Sequence, residues 1–362
     1  MGYRCGLAPL RLSAVIPHSR PTVGETEAKA VYEIVCSGQL AQGAEVEKFE
    51  REMAAFTGRR YGVAVSSGTA ALHLGLLALG VGAGQEVIVP SYVCTALLHA
   101  VWGAGAVPVV CDSEPRSGNI DPAGARRALG SHTAAIIAPH MFGLPAEIEE
   151  LASLGVPCIE DCAMSIGANF MGRPLGSFGE ISICSFYATK MLAAGEGGMV
   201  LTDSEDLAST VRQLREYDGV PANRLRFNSK MTDMAAALGR VQLARLPEFV
   251  ARRRALAARY NEAFAESSLE TPLDSLQHIY YRYVVKAGQL ASTLIAELER
   301  EGVAARRPIY NPLHRELRRD DQLFPGATDA HAVDVSLPLY PALKDEEAQQ
   351  VIAAVCAATA NY

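Results

Sequence analysis

One lysine, Lys190, stands three residues beyond the apolar run 181–187 and just before an Ala/Gly-rich turn that leads into Met199-Val200-Leu201. An ammonium is costly to bury unless it is paired or neutralised. A desolvated lysine shifts towards the free amine, the form that attacks carbonyls and makes Schiff bases. The chain otherwise uses arginine: six of its 33 basic residues are lysines, and Lys190 is alone between Lys48 and Lys230. A lysine snorkelling from a strand end to water is the competing reading.

Two further groups have the chemistry to work with such an amine. The run Val65-Ser66-Ser67-Gly68-Thr69 ends a strand pattern and opens a helix pattern. Hydroxyls and free amides collect there at a helix N-terminus, which favours an anion such as a phosphate, although Ser and Thr also cap helices for purely structural reasons. The run PCIED brings Glu160-Asp161 to a strand end. A carboxylate in that place would keep a pyridine nitrogen protonated, the condition under which pyridoxal phosphate is an electron sink; it would equally cap the next turn. Ser185 is a second candidate phosphate ligand, and Gly195, Gly197 and Gly198 permit close backbone approach.

The elements that must position these groups follow from periodicity. Seven short apolar runs, YGVAVS, EVIVP, VPVVCD, TAAIIAPH, PCIED, ISICSFY and GGMVLT, read as strands. Helical patterns at 69–80, 93–104, 121–129 and 146–154 separate the first five. This alternation predicts an α/β fold with a mostly parallel seven-stranded sheet and helices on both faces, with ligands at the carboxyl ends of the strands. Helices are expected at 24–36 and 45–56, then at 204–217 and 232–265, the last broken at Pro247. A smaller α+β unit closes the chain, with strand 280–287, helix 290–301, extended pieces 305–310 and 335–340, and a helix beginning near Lys344. The expected division is a lead-in over 1–20, a large domain over 21–245 and a small C-terminal domain over 246–362.

Hydrophobic residues make up 49% of the 362 and charged residues 20%, the balance of a soluble enzyme with a substantial core. Net charge is −7 with no basic stripe, which argues against a nucleic-acid partner. The eight cysteines are scattered and mostly within apolar runs, as suits reduced thiols in a cytoplasmic protein. Cys158, Cys162 and His140 lack zinc-type spacing, so no metal is expected. No leader or membrane-spanning run is visible. A Gly-x-Gly-x-x-Gly turn is missing after the first strand, which sets aside a dinucleotide-dependent dehydrogenase.

With these residues in place, the chain resembles the DegT family of sugar aminotransferases, pyridoxal-phosphate enzymes of fold type I. The resemblance runs over about residues 15–355, through SGQLAQG, SSGTAALHLGLLALG, GQEVIVPSY, IIAPHMFGLPA, IEDCAMSIGA, GSFGEISICSFYATKMLAAGEGGMVLT, FNSKMTDMAAALGRVQL and VSLPLYP. It implies that Lys190 is the Schiff-base lysine and Asp161 the partner of the pyridine nitrogen. The phosphate would be held by Ser67, Gly68, Thr69 and Ser185. Asn228 would reach it from the neighbouring subunit of a homodimer with shared active sites, and Tyr310 and His314 fall on the substrate side. The implied reaction moves an amino group from an amino acid, glutamate by family habit, to a nucleotide-linked 3-keto or 4-keto deoxysugar, or to a keto-cyclitol.

Three departures bear on this. Met164 stands where the family has Gln or His. Cys94 takes the place of the aromatic residue that stacks on the cofactor, with Tyr92 two residues earlier as the alternative. Lys230 replaces an Arg. A related dehydratase would carry His in place of Lys190, and a non-catalytic cofactor-binding regulator is the remaining alternative.

Overall fold

The computed structural model describes residues 15–218 and 225–360. Cys5 and most of the expected lead-in lie outside the described residues, as do positions 219–224 of the loop before Asn228. Residues 16–20 of the expected lead-in are tied down. Ile16 bridges Val303, His18 Nε2 lies 2.9 Å from Ser336 Oγ, and Arg20 pairs with Glu347 at 3.0 Å.

The strands are β1 (Tyr61–Val65), β2 (Glu86–Pro90), β3 (Val107–Cys111), β4 (Thr133–Pro139), β5 (Cys158–Asp161), a two-residue ribbon of β6 (Asn169–Phe170) and β7 (Arg173–Pro174), β8 (Ile181–Ser185), β9 (Gly198–Thr202), β10 (Tyr283–Lys286) and β11 (Asp334–Leu337). Seven of them form one sheet in the order β1-β9-β8-β5-β4-β2-β3. Only β9 runs antiparallel to its neighbours, so the sheet is the mostly parallel one expected. Alternation along the strands divides the core. Ala64, Ile88, Ile136 and Cys158 join Phe49 and Met53 on one face, while Val63, Val87, Val89, Ile137 and Ile159 join Leu72, Leu74 and Leu97 on the other.

The register matters for the site. Val65 pairs with Gly198, and Gly198 with Ser185. Asp161 pairs with Ile183. The ends of β1, β5 and β8 therefore meet at one sheet edge.

Helix Asp233–Phe264 is continuous through Pro247, so the expected break does not occur. Proline removes the hydrogen bond to the carbonyl four residues back, but apolar contacts on both sides of it hold the helix together. Leu243, Leu246 and Val250 belong to the core of the sheet domain. Leu256, Ala257, Tyr260 and Phe264 belong to a separate core with β10, β11 and helices Ala291–Arg300 and Asp345–Thr359. This helix thus spans both units, and the expected boundary at residue 246 falls inside it. Among the described residues no helix is long and apolar enough to cross a membrane.

Candidate active site

The loop between β8 and β9 is a hydrogen-bonded extension of their antiparallel pairing. Phe186 N donates to Gly197 O at 2.9 Å, Ala188 N to Gly195 O at 3.0 Å and Ala194 N to Phe186 O at 2.8 Å. Gly195 takes φ +83° and Gly197 φ +150°, conformations open to glycine. Lys190 sits at the tip, half-buried, with its own amide donating to Tyr187 O at 2.8 Å.

Asp161 ends β5 and is buried. Its Oδ1 accepts from Ala163 N at 2.9 Å, the sole hydrogen bond of the carboxylate among the described residues. Burial pushes its carboxyl above the usual range, with the Ala163 amide and the charges of Lys190 and His140 acting in the opposite sense. A buried carboxylate with one oxygen unengaged, coupled to Lys190, fits a protonated ring nitrogen as its missing partner.

The turn where a phosphate is expected is built by contact between two elements. Helix Gly68–Ala78 begins against Ser185: a Cβ on Gly68 would lie 2.7 Å from Ser185 Cβ and 3.1 Å from its Oγ. Gly198 touches the same turn, since a Cβ there would lie 2.8 Å from Gly68 N. The first helical amides have no intrahelical acceptors, and the Thr69 side chain is exposed beside them. Ser67 caps its own helix, accepting from Ala70 N at 3.1 Å. Ser66 N donates to Ser229 O at 2.8 Å, which fastens the Asn228 segment to this turn and leaves Asn228 exposed.

Other expected positions lie elsewhere. Tyr92 is fully buried, and its hydroxyl donates to Asp334 Oδ2 at 3.0 Å. Its ring packs edge-on against Phe142, so it is committed to the contact with the small domain and does not stack over the site. Cys94 is exposed, just ahead of helix Ala96–Gly103. Met164 is half-buried and packs against the cores on both sheet faces. His314 is fully buried with both ring nitrogens engaged, Nδ1 to Ser91 Oγ at 2.5 Å and Nε2 to Asp321 Oδ1 at 2.9 Å, and it stacks on Phe324. That placement makes it a strut and removes it from the substrate side. Tyr310 is 95% exposed. Lys230 pairs with Glu216 at 3.0 Å.

His140, Glu160 and Cys162 come together in the core. His140 Nδ1 accepts from Ala146 N and its Nε2 lies 3.1 Å from Glu160, whose oxygens also accept from the Gly176 and Phe178 amides. Those bonds occupy the donor atoms and give the group a structural role.

The sequence reading passed over Tyr281 and Arg282. Lys190 Nζ lies over the Tyr281 ring, 5.2 Å from its centre, and Arg282 Cζ lies 5.0 Å from the same centre. Burial opposes ionisation of this phenol, but the charges of Lys190 and Arg282, a hydrogen bond with Thr189 and the charge of Arg253 outweigh it and pull its pKa down to about 8.

Lys190, at the tip of the β8–β9 hairpin, acts through its charge on the buried Asp161, and the start of helix Gly68–Ala78 meets the same end of β8. Comparison with known proteins supplies the class. Residues 21–356 match the DegT/DnrJ/EryC1/StrS aminotransferase family. The spore coat polysaccharide biosynthesis protein SpsC of Bacillus subtilis is 34% identical, over 94% of this chain and 96% of SpsC. GDP-perosamine synthase of Caulobacter vibrioides is 33% identical, over 86% and 89%. The crystal structure of the aminotransferase TlmJ from Streptoalloteichus hindustanus superposes with a TM-score of 0.90 at 33% identity, covering 95% of this chain and 98% of TlmJ. The chain belongs to the DegT/DnrJ/EryC1/StrS family of pyridoxal-phosphate-dependent sugar aminotransferases.

Proposed function

We propose that the protein transfers an amino group from L-glutamate to a nucleotide-linked deoxysugar bearing a 3-keto or 4-keto group, with a keto-cyclitol as the alternative acceptor. The convergence of Lys190, Asp161 and the Gly68–Ser185 contact at one sheet edge carries this reading. It works as a homodimer in the cytoplasm; the exposure of Asn228 beside the phosphate turn supports its reaching a neighbouring subunit's site, and the seven described cysteines are unpaired.

The residues divide the work. The amides at the start of helix Gly68–Ala78, with the hydroxyls of Thr69 and Ser185, hold the phosphate. Asp161 holds a proton on the ring nitrogen. Lys190 Nζ would take the proton from the substrate α-carbon and deliver it to the cofactor carbon that bears the nitrogen, the task of a positioned amine acting as base and then acid. When bound, pyridoxal phosphate supplies an electron-poor ring that stabilises negative charge at that carbon.

The test is the visible absorbance of the reconstituted protein, wild type against Lys190→Ala, before and after L-glutamate. We expect a cofactor band in the wild type that L-glutamate bleaches, and loss in the variant of the lysine-linked band and of roughly 10²–10⁴-fold in turnover. A wild-type band indifferent to every amino acid would favour a regulatory, non-catalytic protein.

A further inference from the structure

Arg282 forms no salt bridge among the described residues; Glu270 and Asp334 line a second cavity with it, but they pair with Arg116 and Lys286. Arg282 Nη1 donates to His18 Nδ1 at 2.7 Å and Nη2 to Tyr281 Oη at 3.5 Å. Both partners are neutral acceptors at pH 7. Burial, then the charges of Arg282 and Arg306, push His18 down to about 3, and its Nε2 faces Ser336 Oγ. A guanidinium has five N–H donors, so these contacts leave some of them free.

The surroundings add to the imbalance. The cavity that Lys190 and Arg282 share is also lined by Arg20 and Arg253, and among the described residues no acidic one lines it. Arg20 pairs with Glu347. Arg253 is buried and, among the described residues, donates only to the carbonyls of Tyr280, Tyr281 and Leu339. Buried or cleft-side cations without a carboxylate are unfavourable unless an anion arrives. Arg282 is the one of the four that is half-buried, unpaired by any carboxylate and held over the same ring as the reactive lysine. The two cations are thus at most about 10 Å apart. A molecule that brings an amine to Lys190 and a carboxylate to Arg282 has the functional groups of an amino acid.

We infer that Arg282 is the carboxylate anchor for the amino-acid donor. Charge-assisted pairing of guanidinium and carboxylate supplies both affinity and orientation. His18 and Tyr281 fix the guanidinium so that little side-chain freedom is lost when the anion binds. The role rests on the transaminase reading above, since it presumes a donor that carries both groups.

The test compares wild type, Arg282→Leu and Arg282→Lys, each checked for folding by its bound-cofactor absorbance. Two quantities are read: the half-saturating L-glutamate concentration for the change in the cofactor band, and the calorimetric Kd of succinate, an unreactive dicarboxylate, for the cofactor-loaded protein. Arg282→Leu is expected to raise both by roughly 10- to 100-fold, with Arg282→Lys recovering part of each loss and the response to propylamine, which has no carboxylate, unchanged. Wild-type values for both quantities in Arg282→Leu would overturn the anchor while leaving the transaminase reading standing. A wild-type band that answers no amino acid would overturn that reading and the donor role with it.

Discussion

Lys190 Nζ and Arg282 Cζ both lie over the ring of Tyr281, at 5.2 and 5.0 Å from its centre. A buried phenol between two cations is an unusual acid. Burial raises the hydroxyl of Tyr340 to about 12 and pushes that of Tyr260 well above its ordinary value, yet the charges around Tyr281 bring it to about 8. Its folded pKa is below the ordinary value of 10, so its ionisation adds stability from about pH 8 upward, complete above pH 10. Phenolate absorbance of the cofactor-free protein is expected to show one group titrating near pH 8, and Tyr281→Phe to lack it. A titration identical in the two proteins would mean that the neighbouring charges do not reach the phenol.

The contact of Gly68 with Ser185 predicts unequal costs for two small changes. Gly68→Ala puts a methyl 2.7 Å from Ser185 Cβ, and the helix start must move off β8, at about 1–3 kcal/mol of overpacking. Ser185→Ala leaves the backbone in place and removes one hydroxyl, at about 0.5–1.5 kcal/mol. Cofactor dissociation constants measured by equilibrium dialysis are expected to rise in both, and more in Gly68→Ala. The reverse order would show that the hydroxyl, and not the helix position, governs phosphate binding.

What was legible in the sequence was whatever depends on neighbours along the chain. The seven sheet strands are short apolar runs bounded by turn residues, and the lysine and aspartate announce themselves at strand ends. Pro247 misled because a local rule about proline met contacts from two cores, Leu246 on one side and Leu256 on the other. Tyr92 and Cys94 were indistinguishable in sequence, since the choice depends on Asp334, more than 200 residues away. Tyr281 and Arg282 were read as part of a strand that in fact begins at Tyr283. Tyr280 takes φ +51°, and Gly143 packs so closely that a Cβ there would lie 2.8 Å from Tyr281 N. That break ends the period-2 reading where these side chains are placed.

His314 was expected beside the substrate and instead ties Ser91, at the end of β2, to Asp321. His314→Ala would leave a buried hydroxyl without its partner and a gap against Phe324. We expect a loss of about 1–3 kcal/mol in denaturant unfolding, with the acceptor KM changed less than threefold. A large rise in KM with unchanged stability would return His314 to the substrate side.

Glu160 predicts an acid limb to the stability profile. Burial opposes its ionisation, but the hydrogen bond from His140 and the amides of Gly176 and Phe178 prevail and hold the carboxyl at about 2, below the ordinary 4.5. A lowered acid contributes stability that is fully present above pH 4.5 and is lost as pH falls towards 2. Glu160→Gln keeps the shape but offers one acceptor oxygen where two serve, and presents an amide to backbone N–H donors that already point at the site. It is expected to lower stability by about 3 kcal/mol at pH 7. Between pH 4.5 and 2 the wild type should lose stability more steeply than the variant, and the two unfolding curves should converge. Parallel curves through that window would show that the carboxylate is not ionised in the folded core, and that His140 and the β7–β8 loop are held there by packing alone.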